Sequence, residues 1–288
     1  MEIKDCLKLL QTRAPKVHCL TNPVSMQDMA NILLAAGGSA IMAQEPAEAA
    51  EITAFCQATL LNTGVPDEKK FQACAAAGIR AAELGHPVVL DPVGVGASGF
   101  RKEQMARLLE RVRPSLIRCN PEEAYTLLGI AERMRQGAEQ DDADREGKIP
   151  SPVLSCENMP SGGVESKISP GPVERQQVAT KLARAFACTV LISGEADAVS
   201  DGWETTILTG GDRRIARITG SGCMLSALCA LFAGAGCTPR DAALTAGKIW
   251  KRSAYLAGVR ADRAEEGIGS FHRYLFDALE QICREGWI

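Results

Sequence analysis

The chain has 288 residues, of which 46% are hydrophobic and 23% are charged, and its formal net charge is −3 at pH 7. These values are typical of a globular protein with a substantial core, and the length fits one large α/β domain. The slightly acidic balance and the aromatic content of 5% argue against a nucleic-acid partner, which needs basic clusters and stacking side chains.

The cysteines and the first residues bear on the compartment. The eleven cysteines are scattered through the chain and form no Cys-x-x-Cys pair, so their spacing gives no zinc site. The N-terminal residues carry no basic region followed by a long apolar stretch, and no apolar run approaches membrane-spanning length. We therefore expect a reducing, cytoplasmic location without a membrane partner, where most cysteines serve as small core residues.

Short apolar segments alternate along the chain with longer segments of helical periodicity. The strands predicted in order are Val17–Thr21, Ser39–Met42, Ala58–Asn62, Pro87–Leu90, Leu116–Cys119, Thr189–Ile192 and a hairpin within Ala198–Leu208. The helices predicted in order are Met26–Ala36, one opening at Pro46, Asp67–Leu84, Arg101–Val112, Pro121–Leu128, about Glu174–Ala187, and three near Met224–Ala233, Arg240–Ala257 and Ser270–Arg284.

This alternation predicts an α/β fold with a mostly parallel central sheet covered by helices on both faces. The strands are continuous apolar runs, which is typical of a sheet that is buried on both sides. Ligands of such folds bind at the carboxyl ends of the strands. Polar side chains fall at those ends in this chain, at Asn22, Asp91, Asn120 and Ser193.

Residues 131–173 interrupt the alternation. They hold an acidic run, Glu139–Asp144, followed by five prolines among serines and glycines, and they show no hydrophobic period. This composition is typical of a surface insertion. We therefore expect a single domain over residues 1–288, with a surface insertion at about 131–173 that has no catalytic role.

The stretch 218–228 carries the strongest chemical signal. Gly220 and Gly222 lack the Cβ atoms that would keep a ligand away, and Ser221 is expected to cap a helix that begins at Gly222 or Cys223. A helix start leaves N–H groups unpaired and carries partial positive charge, which favours a bound anion and a thiolate at Cys223. The alternative is a tight turn that only leads into a buried helix.

The loop Gly94–Gly99 matches the dinucleotide-binding pattern Gly-x-Gly-x-x-Gly and follows a strand. Two features argue against that interpretation, because Asp91 and Pro92 separate the strand from the loop and no acidic residue ends the next strand. The structural alternative is a flexible turn. The functional alternative is that Asp91, at the end of its strand, holds a hydrated Mg²⁺.

The residues after the next strand open a helix. Asn120 as N-cap, Pro121 at the first helical position and Glu123 as capping-box acid account for them structurally. Arg118 is expected to point into the strand-end crevice, where an arginine and a carboxylate suit a polyphosphate with its metal. A P-loop is excluded, because no Gly-x-x-x-x-Gly-Lys-Ser/Thr occurs. His18, near a strand end, stays a candidate partner for a cysteine nucleophile.

Several segments are informative as a set, although none of them is specific alone. They are Val17–Asn22, Ala30–Ala35 with Ile41–Ala43, Leu61–Gly64, Val88–Ala97, Ile117–Asn120 and Thr219–Leu228. Together they cover the chain from about Val17 to Ala230, apart from the insertion. In these segments the chain closely resembles the hydroxyethylthiazole kinase family, a member of the ribokinase-like superfamily.

The resemblance implies a ribokinase-like fold and an activity. The activity is ATP-dependent phosphorylation of the primary hydroxyl of 4-methyl-5-(2-hydroxyethyl)thiazole, in thiamine salvage. The resemblance also implies Mg²⁺ as cofactor and a homotrimer whose sites lie between subunits.

The resemblance also assigns roles by motif. It implies an anion hole at Gly220, Ser221, Gly222 and Cys223, and a catalytic role for Cys223, which stands where other ribokinase-like enzymes hold an aspartate base. It implies contacts to the thiazole from Met42, Gly220 and Asn22, contacts to ATP from Arg118, Ser193 and Thr219, and a metal held by Asp91 and Glu123. Two departures from the family are visible, since serine replaces the usual threonine at Ser193 and Ser221.

Two other functions stay open. One is a ribokinase-like kinase of another small alcohol, such as a hydroxymethylpyrimidine or a sugar. The other is a non-catalytic protein of the same architecture that binds the thiazole without consuming ATP. The intact set of Asp91, Glu123 and Cys223 favours an enzyme, on the strength of the resemblance.

Overall fold

The computed structural model describes residues 1–145 and 171–286, where the strands form one eight-stranded sheet. The strands are β1 (Lys16–Leu20), β2 (Ser39–Ile41), β3 (Ala58–Asn62), β4 (Val88–Asp91), β5 (Leu116–Cys119), β6 (Thr189–Ile192), β7 (Asp197–Ser200) and β8 (Thr205–Leu208). The helices are α1 (Ile3–Arg13), α2 (Met26–Ala35), α3 (Pro46–Ala54), α4 (Glu68–Leu84), α5 (Gly99–Arg111), α6 (Pro121–Arg145), α7 (Pro172–Phe186), α8 (Ser221–Gly234), α9 (Pro239–Arg263) and α10 (Ile268–Glu285).

The sheet has the strand order β2-β1-β3-β4-β5-β6-β7-β8, and β1 to β6 run parallel. The strands β7 and β8 form the predicted antiparallel hairpin. The register pairs Leu61 with Leu20 and Asn62 with Asp91, so β1, β3 and β4 end level with one another. Because parallel strands point the same way, the side chains that follow them collect at one edge of the sheet.

Helices cover both faces of the sheet, since successive residues of a strand point to opposite sides. Cys19 and Leu60 pack into the core made with α1, α2, α8, α9 and α10. Leu20 and Leu61 pack into a second core, made with α3 to α7. The α8 helix lies inside the first core, where residues 223–233 are all buried. The predicted α/β fold with a doubly covered, mostly parallel sheet is therefore confirmed.

The α6 helix is longer than the sequence analysis predicts. The expected end at Leu128 is wrong, because α6 continues through Gly129 to Arg145. A glycine inside a helix costs about 1 kcal/mol relative to alanine, and Leu127 and Ile130 pack into the core on either side of it. The first part of the expected surface insertion therefore continues α6. Residues 146–170 of that insertion lie outside the described residues.

The α1 helix is absent from the predicted elements, although its signal is present in the sequence. Cys6, Leu7 and Leu10 are buried along one side of α1, at the spacing of a helix face. They pack into the same core as α8. The N-terminal residues therefore contribute to the core that surrounds the central helix.

The helices and the cysteines of the described residues bear on two expectations from composition. Within residues 1–145 and 171–286, each helix is too short or too polar to cross a bilayer. The ten cysteines of these ranges are buried and carry free thiols. This agrees with the prediction that most cysteines are small core residues.

Candidate active site

The strands β1, β3 and β4 end level at one edge of the sheet, and the polar side chains at their ends meet there. Asn22 Nδ2 donates to Asn62 Oδ1 at 3.0 Å, and Asn62 Nδ2 donates to Asp91 Oδ2 at 2.8 Å. Helix α8 adds Cys223, whose Sγ lies 3.1 Å from Asn62 Nδ2, and Ser226, whose hydroxyl donates to Asp91 Oδ2 at 2.8 Å. We call these five residues the strand-end cluster.

Asp91 is fully buried in the strand-end cluster, yet only one of its two oxygens is hydrogen-bonded. Its Oδ1 has no hydrogen-bond partner among the described residues and lies 3.7 Å from Arg118 Nη1. Burial raises the pKa of Asp91, while the charge of Arg118 and the bonds from Ser226 and Asn62 act in the opposite direction. The Oδ1 atom is therefore an acceptor open to a cation or to water.

Cys223 is a neutral thiol in this setting. Burial, and to a smaller extent the nearby carboxylate of Asp91, raise the pKa of Cys223 to about 11. Ser25, Arg118 and Asn62 act in the opposite direction. The expectation that the helix start favours a thiolate is therefore wrong. Loss of water and a neighbouring negative charge outweigh the field of one helix end.

The start of α8 differs by one residue from the prediction. Ser221 is the first residue of α8 and not its cap, and the N-cap is Gly220, whose φ of +76° favours glycine. Ser221 N–H donates to Ile218 O at 3.1 Å, and Met224 N–H donates to Gly220 O at 2.9 Å. The N–H groups of residues 222 and 223 have no hydrogen-bond partner among the described residues. These two amides are the donors available to an anion.

Arg118 lies directly against the start of α8. Its Nη2 donates to Ser193 Oγ, and its Nη1 is 3.7 Å from the free oxygen of Asp91. A Cβ atom on Gly222 would lie 2.6 Å from Nη2 of Arg118, closer than packed atoms approach. The absence of a side chain at Gly222 therefore lets the guanidinium group and the two free amides share one small region.

The predicted capping box at the start of α6 is confirmed. Asn120 Oδ1 accepts from the Glu123 N–H at 2.8 Å, and Glu123 Oε2 accepts from the Asn120 N–H at 2.8 Å. Glu123 Oε1 also accepts from the Gly94 N–H at 2.8 Å, which joins the loop after β4 to α6. Burial, with Asp91 nearby, raises the pKa of Glu123 to about 7 against the opposing charge of Arg118.

A cleft of about 850 Å³ opens beside the strand-end cluster. Its inner end is lined by Arg118, Ser193 and the first residues of α8, Ser221 and Gly222. Its remaining walls are the loop between β6 and β7, the segment 209–216 after β8, and one face of α9. We call it the β6–β8 cleft. Four of the sequence candidates, Arg118, Ser193, Ser221 and Gly222, thus line a volume large enough for a small organic ligand.

Three other candidates lie apart from the strand-end cluster. Thr219 is exposed on the turn that leads to α8 and is not part of the cleft lining. Met42 follows β2 and is half-buried against the core. The ring of His18 is buried, with Nδ1 2.9 Å from Thr53 Oγ1 and Nε2 2.9 Å from Ala43 O. Both ring nitrogens of His18 are engaged away from Cys223, so the two residues do not form a catalytic dyad.

Three further residues organise this region, although the sequence patterns predict no role for them. Asn62 ends β3, so the strand-end rule that selected Asn22 and Asp91 also applies to it. Ser226 lies one turn after Cys223 and thus on the same side of α8. Lys70 is buried, and its Nζ donates to Thr21 O and, at 2.9 Å, to Gly64 O. No sequence signal identifies this lysine, because a charged residue in the first helical turn normally faces water.

Comparisons with known proteins agree on one family. The model of the hydroxyethylthiazole kinase family matches residues 7–153 and again 151–285. A hydroxyethylthiazole kinase of Clostridium beijerinckii is 36% identical, over 98% of this chain and 93% of that protein. The structure of a hydroxyethylthiazole kinase protein from Pyrococcus horikoshii superimposes with a TM-score of 0.77 at 31% identity, covering 97% of this chain and 93% of that one.

A more distant structure shares the fold alone. A ribokinase-like superfamily protein of Enterococcus faecalis superimposes with a TM-score of 0.58 at 11% identity, covering 98% of this chain and 94% of that one. The architecture of β1 to β8 with its covering helices is therefore the ribokinase-like fold.

Proposed function

The chain belongs to the hydroxyethylthiazole kinase family, and we propose that it transfers the terminal phosphoryl group of ATP to the primary hydroxyl of 4-methyl-5-(2-hydroxyethyl)thiazole. The observation that carries this proposal is the meeting of two free amides, at Gly222 and Cys223, with Arg118 and the free oxygen of Asp91. Phosphoryl transfer asks a protein mainly for alignment and charge neutralisation, and these groups supply both. The product is the thiazole phosphate used in thiamine salvage.

The anion hole consists of Gly220, Ser221, Gly222 and Cys223, and its donors are the two free amides. Gly220 supplies the turn, because an added Cβ would lie 2.6 Å from the Cβ of Ser25. The amides and the guanidinium of Arg118 are fixed before the substrate arrives, so they stabilise the charge on the transferring group without rearranging. ATP occupies the β6–β8 cleft, with its terminal phosphate at the inner end. Arg118, Ser193 and Thr219 contact ATP.

The acidic residues beside the hole fit Mg²⁺, which prefers carboxylate oxygens and keeps several waters. Asp91 offers a buried oxygen without a hydrogen-bond partner in the described part of the chain. Both oxygens of Glu123 already accept backbone N–H groups, so its remaining lone pairs would hold water bound to the metal. When bound, Mg²⁺ would neutralise charge on the phosphates of ATP. Asp91 and Glu123 are the residues that would hold it.

Cys223 faces the substrate hydroxyl in this proposal. Because its thiol is neutral near pH 7, it orients the hydroxyl and does not remove the proton before transfer. A loose transition state makes early deprotonation unnecessary, so a weakly basic group suffices at this position. Asn62 holds Cys223 and Asp91 through one amide group, which keeps the acceptor hydroxyl and the metal-binding oxygen in register.

The substrate side and the assembly are further parts of the proposal. Met42, Gly220 and Asn22 contact the thiazole ring, and the enzyme is a homotrimer with sites between subunits. The support for these statements is the family, together with the place of Asn22 in the strand-end cluster. We further propose a cytoplasmic location, which the free thiols of the described cysteines support.

A coupled assay of ADP release tests the function. We expect ADP release when ATP and the thiazole alcohol are both present. The kcat/KM for the thiazole alcohol should be at least about tenfold higher than for hydroxymethylpyrimidine or sugar alcohols. This factor corresponds to about 1.4 kcal/mol in transition-state binding. Faster turnover of another alcohol would replace the thiazole as substrate. Thiazole binding in equilibrium dialysis without any ADP release would instead identify a non-catalytic binding protein.

A further inference from the structure

Lys70 lies in the first turn of α4, yet its side chain is almost fully enclosed. Its exposed fraction is 6%, and its Nζ donates to the carbonyl oxygens of Thr21 and Gly64, the second at 2.9 Å. These carbonyl groups belong to the loops that follow β1 and β3. In the described part of the chain, no carboxylate lies within ion-pair distance of this ammonium group. Lys70 therefore joins two backbone loops rather than pairing with an opposite charge.

This placement of a lysine is costly for the fold. Burial lowers the pKa of Lys70, against the opposing effects of Cys74 and Asp67. A cation in the first turn of a helix also meets the positive end of the helix dipole. A buried charge without an opposite charge does not normally add stability. The position of Lys70 is therefore better explained by the two loops that it holds than by the stability of α4.

The loop after β3 is strained beside the bond to Lys70. Val65 has a φ of +48°, in the left-handed region, which costs free energy for an L-residue and is least suited to a β-branched side chain. Val65 is 57% exposed, so packing in the core does not compensate for this cost. Lys70 holds the carbonyl group of Gly64, which shares a peptide unit with the Val65 N–H. The bond to Lys70 therefore opposes relaxation of the loop at the point of strain.

Gly64 connects this loop to the strand-end cluster. Its N–H donates to Asn62 Oδ1 at 3.0 Å, and the same oxygen accepts from Asn22 Nδ2 at 3.0 Å. Two donors on one oxygen fix the orientation of the Asn62 amide, whose Nδ2 faces Asp91 and Cys223. A Cβ atom on Gly64 would lie 2.7 Å from Asn22 Nδ2, so the two loops are closely packed. The position of the Gly64 backbone therefore sets the orientation of the Asn62 amide.

The other bond of Lys70 acts on the loop after β1. Thr21, whose carbonyl oxygen accepts from Lys70, is followed directly by Asn22. The Oδ1 atom of Asn22 accepts from the N–H groups of Val24 and Ser25, at 3.1 and 3.2 Å, so this side chain is tied to its own loop. A shift of Thr21 would therefore move the amide group by which this loop reaches the strand-end cluster.

We propose that Lys70 is a positioning residue for the strand-end cluster. It holds the loops after β1 and β3 against each other, and through Asn22 and Asn62 it keeps Cys223 and Asp91 in the geometry that phosphoryl transfer needs. Lys70 acts through the backbone and contacts neither the alcohol nor the nucleotide. This inference rests on the proposed function, because that proposal places the acceptor hydroxyl at Cys223.

Kinetics of the full-length variant Lys70→Met test the inference. Methionine is similar in length to lysine, but it leaves the two carbonyl groups without their donor. We expect kcat to fall about tenfold, because catalysis is sensitive to small displacements of the reacting groups. We expect the KM for the thiazole alcohol to rise about threefold, because Asn22, a proposed thiazole contact, is displaced as well.

Two binding and stability measurements on Lys70→Met separate positioning from a general loss of structure. The dissociation constant for ATP, measured by calorimetry, stays within about twofold of wild type, because neither loop lines the β6–β8 cleft. The melting temperature stays within about 5 °C of wild type, because removal of a buried charge offsets the lost hydrogen bonds.

Further variants separate a backbone role from a role of the charge. Lys69→Met removes the same charge from the adjacent, exposed residue of α4, and we expect unchanged kcat and KM values. Val65→Gly removes the strain, because glycine adopts positive φ as readily as negative φ. With Lys70 in place, Val65→Gly should change kcat less than about twofold. In the double variant Lys70→Met with Val65→Gly, we expect kcat to recover to within about threefold of wild type.

Four results would overturn the inference. They are an unchanged kcat for Lys70→Met, a loss of ATP affinity equal to the loss in kcat, an equal loss of kcat in Lys69→Met, and a folded double variant whose kcat stays about tenfold below wild type. The last result would mean that the charge itself acts at the site. A wild-type protein that releases no ADP with the thiazole alcohol would instead refute the proposed function, and this inference would fall with it. The two failures are therefore distinguishable.

Discussion

The strand-end cluster and the β6–β8 cleft lie side by side at the same edge of the sheet, yet they are built in different ways. In the cluster, side chains hold one another, since Asn62 bonds to Asn22, Asp91 and Cys223. In the outer part of the cleft, side chains from α7 and α9 hold backbone carbonyls of a loop. The geometry of the cluster therefore depends on the chemistry of its side chains, whereas the shape of the cleft depends on the conformation of a backbone loop.

The two kinds of construction suit different parts of the proposed reaction. A closed cluster with almost no exposed surface can fix reacting groups to a fraction of an ångström and exclude water. A loop-lined cleft can accept and release a nucleotide. Substitutions in the cluster are therefore expected to lower kcat, whereas substitutions at the cleft are expected to raise the KM for ATP. The four predictions that follow test this division.

The largest effect is expected for Asp91→Asn. This change keeps the size of the side chain but removes the charge of the free oxygen, and it places an amide beside the Asn62 and Ser226 donors. We expect kcat to fall about 10²- to 10³-fold, the range observed when one preorganised polar group is lost from a transition-state site. Steady-state kinetics with both substrates measure kcat and the two KM values.

Ser226→Ala is the control for Asp91→Asn, because it removes one donor to Asp91 and keeps the carboxylate. We expect its kcat to fall about tenfold, the lower end of what one hydrogen bond to a charged group is worth, because Asn62 still donates to the same oxygen of Asp91. If Asp91→Asn and Ser226→Ala lowered kcat equally, the carboxylate charge would have no role in transfer. The cluster would then be a structural network only.

A smaller loss is expected for Cys223→Ala. The thiol is neutral, so it contributes orientation and weak basicity at the acceptor hydroxyl, and we expect kcat to fall about 10- to 100-fold. The dissociation constant for ATP should stay within about twofold, because the amide of residue 223 is kept. Cys229→Ala is the matched control, as it removes a fully buried thiol from the same helix. Loss of ATP affinity equal to the loss in kcat would contradict the division.

Local patterns of sequence predicted much of the fold. The boundaries of β3, β5 and β6 match the structure residue for residue, because short buried strands are bounded by turn residues on both sides. The capping box of Asn120 and Glu123 is likewise a property of four consecutive residues. These features need no knowledge of what packs against them.

The features that the sequence did not predict depend on distant partners. The bond from Ser226 to Asp91 joins residues 135 apart, and the raised pKa of Cys223 follows from burial that only the assembled core creates. Helix α6 passes Gly129 because of packing on Leu127 and Ile130, against the local preference. The loop between β6 and β7 is likewise held by Lys251 and Arg175, which lie on separate helices. Tertiary contacts decide each of these points.

The substitution Gly222→Ala, at the boundary between the strand-end cluster and the β6–β8 cleft, is expected to weaken the binding of ATP. In Gly222→Ala the new Cβ would lie 2.6 Å from Nη2 of Arg118, so the guanidinium group must move. We expect the KM for ATP to rise about tenfold, with kcat reduced by less than that factor. Gly269→Ala is the matched control, because it is also the second residue of a helix and its Cβ would meet open space. A fall in kcat larger than the rise in KM would contradict the division, because the displaced guanidinium group would then matter more to the transfer step than to ATP binding.

The smallest effect is expected for Ser193→Ala, which removes the hydroxyl that accepts from Arg118. Arg118 keeps its ion pair with Asp91, so we expect the KM for ATP to rise only about two- to fivefold, the value of one ordinary hydrogen bond. Ser193→Thr keeps the hydroxyl and should change the KM less than about twofold. If Ser193→Ala raised the KM as much as Gly222→Ala, the serine hydroxyl would be what holds Arg118 in place. The missing side chain at Gly222 would then serve only to leave room for the guanidinium group.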